Sequence, residues 1–168
     1  QLRNVGGSID HAGSGALTIT ATEALAGAGG RIRSNGRVDL QVGALDHQGA
    51  SLAAGDIAVS AASLDNRGGS IIAAAGADLR MRGAFNNASG TVSAGQALAL
   101  RSGDADNSGG TLQSTGSSLT LTAGSLLNAG GLVYAASDLK ATLSSLANSG
   151  TLHAGAAQRL DIAQALDN

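Results

Sequence analysis

The feature that most constrains this chain is an internal repeat. Apolar anchors at Leu2, Leu25, Leu45, Leu64, Phe85, Ala105, Leu126, Leu146 and Leu166 recur at intervals of 19 to 23 residues, with a mean of 20.5. Two positions after the anchor stands Asn4, Asn66, Asn87, Asn107, Asn128, Asn148 or Asn168, with Gly27 and His47 as the exceptions. A glycine-rich pair follows, as in Gly6-Gly7, Gly68-Gly69 and Gly130-Gly131. Next comes an aliphatic column of Ile9, Ile32, Leu52, Ile71, Val92, Leu112, Val133 and Leu152. After a second small turn each repeat carries an alternating pair, read as Leu17/Ile19, Val38/Leu40, Ile57/Val59, Leu79/Met81, Leu98/Leu100, Leu119/Leu121, Leu139/Ala141 and Leu160/Ile162. Columns that stay in register over eight intervals mark a stacked repeat architecture.

The pattern inside each repeat selects the geometry. Leu-x-Leu alternation is the two-residue period of a strand. No stretch keeps a 3.6-residue pattern long enough for a stable helix. A leucine-rich horseshoe would need a longer leucine signature than these pairs offer. Short strands joined by glycine-rich turns predict an all-β fold with little or no helix: a right-handed parallel β-helix of about eight coils. With coils about 4.8 Å apart, residues 1–168 form one β-helical repeat domain roughly 40 Å long. The inward columns hold Leu, Ile and Val, each contributing about 1.5–3 kcal/mol on burial before entropy is charged. The asparagines are expected at turns, where their side chains tolerate left-handed backbone and can bond along the rod axis. The long first interval is expected to bulge at a turn near Thr20–Ala24.

Composition removes other classes. The chain has 26 glycines and no proline, cysteine or tryptophan. Proline would delete a backbone donor from a central strand, so its absence suits the fold. Without cysteine there are no disulfides, thiolate metal sites or thiol nucleophiles. A hydrophobic share of 43% is too apolar for disorder, and a net charge of −2 argues against nucleic acid as partner. Apolar runs of a few residues cannot form a spanning helix. The start lacks an initiating methionine and a signal-peptide core, so the chain reads as a fragment of a larger protein or a mature segment.

The unit Leu64-Asp65-Asn66-Arg67-Gly68-Gly69-Ser70-Ile71, echoed at Leu2 to Ile9 and Leu126 to Val133, resembles the haemagglutinin repeat of filamentous haemagglutinin. That repeat also occurs in large exoproteins of two-partner secretion, including contact-dependent growth-inhibition toxins. The resemblance covers essentially the whole chain, with departures at Gly27, His47 and Ala105. It implies a secreted or surface-exposed Gram-negative protein whose repeats form a shaft. It further implies export in the unfolded state through an outer-membrane transporter, a route that absence of disulfides suits. The family's transporter-recognition segment is not seen here. The implied role is a structural and adhesive spacer for attachment to host or target cells.

No enzyme is expected. The even intervals leave no coil with spare chain to wall a catalytic groove. His11, His47 and His153 stand apart in the sequence, in or near turns, and read as solvent-facing or turn residues. Asp104 and Asp106 resemble the start of a calcium loop, but its twelfth position is Thr115 where a bidentate Glu is required. They read as turn formers, and neither a metal nor a cofactor is expected. The only lysine, Lys140, precedes Ala141, so there is no phosphate loop. Paired threonine columns that could bind ice are broken by Ser8/Asp10, Arg31/Arg33 and Ser70/Ile72. The sharper alternative is a sulfated, heparin-like glycan held by outward arginines. Column alignment places Arg82 beside Arg101 with Arg80 two residues earlier, and groups Arg31, Arg33 and Arg37 as a second cluster. Both ends of the chain lie within the repeat, so copies are also expected to stack end to end.

Overall fold

A computed structural model describes residues 1–168 as strands and turns, with no helix. All strand pairs are parallel and form three ladders along one axis. The first ladder is an eight-stranded sheet of short strands, beginning with Ser8–His11, Arg31–Ser34 and Ser51–Ala54 and ending with Thr151–Ala154. The second ladder, which includes Asp56–Ala61 and Ala77–Met81, and the third, which includes Ser63–Asp65 and Phe85–Asn86, belong to one larger sheet. Five ten-residue strands, Leu17–Ala26, Arg37–Asp46, Leu119–Asn128, Leu139–Asn148 and Gln158–Asp167, contribute to both. In the middle coils the chain breaks into separate strands, such as Asp56–Ala61 and Ser63–Asp65.

The repeat columns become register columns. Leu2 pairs with Leu25, Leu25 with Leu45, Leu45 with Leu64, and the sequence continues through Phe85, Ala105, Leu126 and Leu146 to Leu166. Ile9 to Leu152 do the same in the first ladder. These columns, with the second ladder, enclose one core cluster running through the coils. Alternation does the sorting, because successive strand residues point to opposite faces. Ala105 no longer counts as a defect. It lies buried beside Phe85 in the next coil, so a small side chain offsets the largest one in the column.

The second ladder corrects two readings. Ala77 and Leu79, not Leu79 and Met81, pair with Leu98 and Leu100, while Met81 takes the inward position beside Ala61. At the far end Ala141 pairs with Leu160 and Leu143 with Ile162. Each of these segments offers three inward positions in a row, and the pairing slid by two residues between them. The long first interval also resolves differently. Its extra residues divide between the turn after His11 and a bulge within the strand between Ala21 and Ala24.

The asparagines differ most from expectation. None has positive φ. The left-handed residues stand two places later, at Gly6, Gly29, Gly49, Gly68, Gly109 and Gly130, with Ser89 (φ 56°) in the same column. Asn66, Asn87, Asn107 and Asn128 are wholly buried at the corner between the third and first ladders. Asn66 Nδ2 donates to Asn87 Oδ1 at 2.7 Å, Asn87 to Asn107 at 2.8 Å, Asn107 to Asn128 at 2.8 Å and Asn128 to Asn148 at 2.8 Å. Asn148 donates to Asn168 at 2.7 Å. Each of the four buried amides also reaches a carbonyl in its own turn and one in the next coil, as Asn87 does with Gly90 (3.2 Å) and Thr111 (3.1 Å). Buried amides are tolerated only when bonded in this way.

Two stability measurements follow. Ser89→Gly removes a side chain from left-handed backbone and is expected to stabilise the protein by about 0.5–1 kcal/mol in chemical denaturation. Asn107→Ala breaks the amide chain and leaves Asn128 Oδ1 without its donor. Its expected cost is about 2–3 kcal/mol, and an unchanged midpoint would show that the chain contributes nothing to stability.

Candidate functional site

The outer side of the second ladder carries an open groove of about 780 Å³. Its floor is the strand Asp56–Ala61, whose outward residues Ala58 and Ser60 are small. The neighbouring coils carry longer side chains at the same register. Asp39 and Asp78 flank Ala58, while Gln41 and Arg80 flank Ser60. Two coil spacings, about 10 Å, therefore separate the walls.

Charge in the groove is partly cancelled from within. Arg37 Nε lies 2.7 Å from Asp39 Oδ1, and an Arg80 terminal nitrogen 2.6 Å from Asp78 Oδ2. The hydrogen bond that Arg37 donates to Asp39, reinforced by the carboxylate's charge, raises the Arg37 pKa above its ordinary value. Arg82 and Arg101 also line the groove, are exposed, and make no ion pair. Arg101 pairs in register with Arg80, not with Arg82 as the column alignment had it, a consequence of the two-residue slide around Met81. The second arginine cluster divides as well. Arg31 and Arg33 face outward from the first ladder, with Arg31 3.7 Å from Asp10, whereas Arg37 joins the groove. The groove thus offers two free guanidinium groups, the donor type suited to sulfate or carboxylate.

The same strand-neighbour pairing recurs outside the groove. Asp65 and Arg67 form one pair and Arg159 and Asp161 another, and each arginine's hydrogen bond holds its carboxylate below the usual range. Pairs this exposed are worth little to stability. Asp106 accepts from the Ser108 amide at 2.9 Å, as a turn former does, and Asp104 accepts from Ser125 Oγ at 2.7 Å. No group of three or more His, Cys, Asp or Glu side chains is placed to hold a metal ion.

The histidines are not three equivalent surface residues. His153 is exposed and stacks on Tyr134, ring centroids 5.4 Å apart. His11 Nδ1 lies 3.0 Å from Ser34 Oγ in the next coil. His47 is only 2% exposed and occupies the buried asparagine column. Its Nε2 bonds the Ser70 carbonyl at 3.2 Å, the contact an asparagine amide makes elsewhere, but it gives nothing to Asn66 Oδ1. That oxygen is buried without a partner. The departure at His47 was visible in the sequence, but its burial was not, because the column reads as a polar turn.

A family description, haemagglutinin repeat, matches residues 1–80, 75–119 and 114–168. The chain belongs to the haemagglutinin repeat family. These repeats form structural and adhesin regions in the context of two-partner secretion, which places the family among secreted or surface exoproteins of Gram-negative bacteria. Neither a curated protein nor a solved structure gives a significant match.

His47 makes the fold acid-sensitive. Burial lowers its pKa from the ordinary 6.5, so the folded state favours the neutral ring. The unfolded chain then takes up a proton at a higher pH than the folded one does. Stability is therefore complete above about pH 6.5 and is lost below it, by at most about 1.4 kcal/mol per pH unit. His47→Asn is expected to abolish this share of the acid loss. It also supplies Asn66 Oδ1 with a donor, raising stability at neutral pH by about 1 kcal/mol. Urea midpoints for both proteins between pH 7.5 and 5 test this, and parallel pH profiles would refute it.

Proposed function

We propose that this chain is a shaft segment of a large exoprotein, a rigid spacer that carries adhesive or toxic regions of its parent away from a bacterial surface. The observation that supports it best is continuity. Three ladders and one core run through the coils, and even the turns bond along the axis, as Gly68 N does to Ala88 O at 3.1 Å and Gly109 N to Ala129 O at 2.9 Å. Bending such a column opens hydrogen bonds on one side and uncovers apolar surface between coils, and both changes cost free energy. Residues 1–168 act as one repeat domain of a longer protein, secreted or held at the cell surface. The outer-membrane transporter of two-partner secretion is its partner during export, and a chain without cysteine carries no crosslink to obstruct threading. An adhesin and a contact-dependent growth-inhibition protein both need such a shaft. No catalytic role is assigned to it.

A second reading rests on the groove. Arg82 and Arg101, unpaired and beside Arg80, suit sulfate groups on a host glycan, which would make the segment an adhesin surface in its own right.

Two experiments separate these readings. Deleting residues 108–128 removes one whole coil and lets Asn107 meet Asn148. The shortened protein is expected to fold and to lose about 4.8 Å of length between dyes placed at its two ends. An unfolded product or an unchanged length would defeat the spacer reading. Retention on immobilised heparin at low salt, reduced at least several-fold by replacing Arg80, Arg82 and Arg101 with alanine, is expected from the glycan reading. No retention of the parent chain would remove it.

A further inference from the structure

The corner between the first two coils brings together His11, Ser34, Asn35 and Gly36. Asn35-Gly36 is the chain's only Asn-Gly step. In such a step the following amide nitrogen can attack the asparagine side chain, because glycine places no side chain in the way. Packing enforces this step. A Cβ on Gly36 would collide with the backbone carbonyls of Ser14 and Gly15 in the preceding coil.

The groups around the step are arranged for proton transfer. Gly36 N–H donates to Ser34 Oγ at 3.1 Å. Ser34 Oγ lies 3.0 Å from His11 Nδ1, its register partner in the adjacent coil. Ser34 is buried at 5% exposure, whereas Asn35 is open to water. The Asn35 Nδ2 donates to the Ala12 carbonyl at 2.8 Å, and Asn35 N to the His11 carbonyl at 3.2 Å, which ties the segment to the first coil. His11 has room at this corner because a glycine, Gly13, lies against its ring.

We infer that Asn35 is a site of self-catalysed deamidation, in which Ser34 and His11 form a proton relay for attack by the Gly36 nitrogen. The bond from Gly36 N to Asn35 Cγ forms as the nitrogen passes its proton to Ser34 Oγ. Ser34 hands its own proton to His11 Nδ1. The Cγ–Nδ2 bond then breaks, the relay returns one proton to the leaving nitrogen, and ammonia departs. Water opens the resulting succinimide at either carbonyl, giving aspartate or isoaspartate. The product loses the amide donor to Ala12 and gains a carboxylate between Arg33 and Arg37. The first turn is thereby loosened from the second coil. This is a function of the corner alone and does not depend on the spacer or glycan readings.

Peptide mapping during incubation at neutral pH tests the inference, with isoaspartate at residue 35 as the readout. Asn35 is expected to convert ahead of every other asparagine. Ser34→Ala and His11→Gln are expected to slow it several-fold while leaving the strand signal in circular dichroism unchanged. Glutamine can still bond Ser34 but cannot take its proton, so a merely structural role for His11 would leave the His11→Gln rate at the parent value. An intact Asn35 after long incubation, or equal rates in the three proteins, would overturn the assignment.

Discussion

Hydrogen bonds between neighbouring coils are the interaction on which the rest of this structure depends. Backbone groups supply most of them, and the buried asparagines run a second, parallel line of amide bonds through the interior. Each amide gives its proton toward the later coil, and each one after Asn66 accepts from the earlier coil. Stacked amides of this kind polarise one another, and they hold the coil spacing at the corner where no apolar contact could. The glycine-rich turns follow from this corner. They bring the chain around tightly enough for an amide to reach its own turn and the next coil together.

Most of the architecture was legible because the repeat carries its own register. Leu64, Phe85, Ala105 and Leu126 announce a common position by spacing alone, whatever their size. Legibility failed where a coil offered more inward candidates than the pattern needed, as around Leu79 and Met81 or Ala141 and Leu143. It failed again where chemistry and location disagree. Asparagine beside glycine looks like an exposed turn, and only the three-dimensional stack shows that neighbouring amides satisfy one another in the interior. His47 was misread for the same reason. The groove depended on both kinds of information. Its arginines were visible as a cluster, but the short side chains of Ala58 and Ser60 become a hollow only when their neighbours are placed on either side.

Charge is distributed unevenly around the rod. From Ser51 to His153 the outward positions of the first ladder carry hydroxyl, amide, aliphatic and aromatic groups, with the Tyr134 phenol and the His153 imidazole stacked on it as the only titratable side chains. The second ladder carries the groove, with its arginines and aspartates. Identical backbone geometry thus presents chemically different sides, since outward residues do not affect the core and are free to vary. A shaft can acquire a binding side in this way without altering its stiffness.

The one-way line of amides has a genetic consequence. Cutting it anywhere strands an acceptor, as at Asn66, whereas removing or duplicating a whole rung leaves every link closed. Length in such a gene should therefore change in steps of one turn by recombination between similar segments. Small insertions belong at the outer bends, where the first turn already accommodates extra residues.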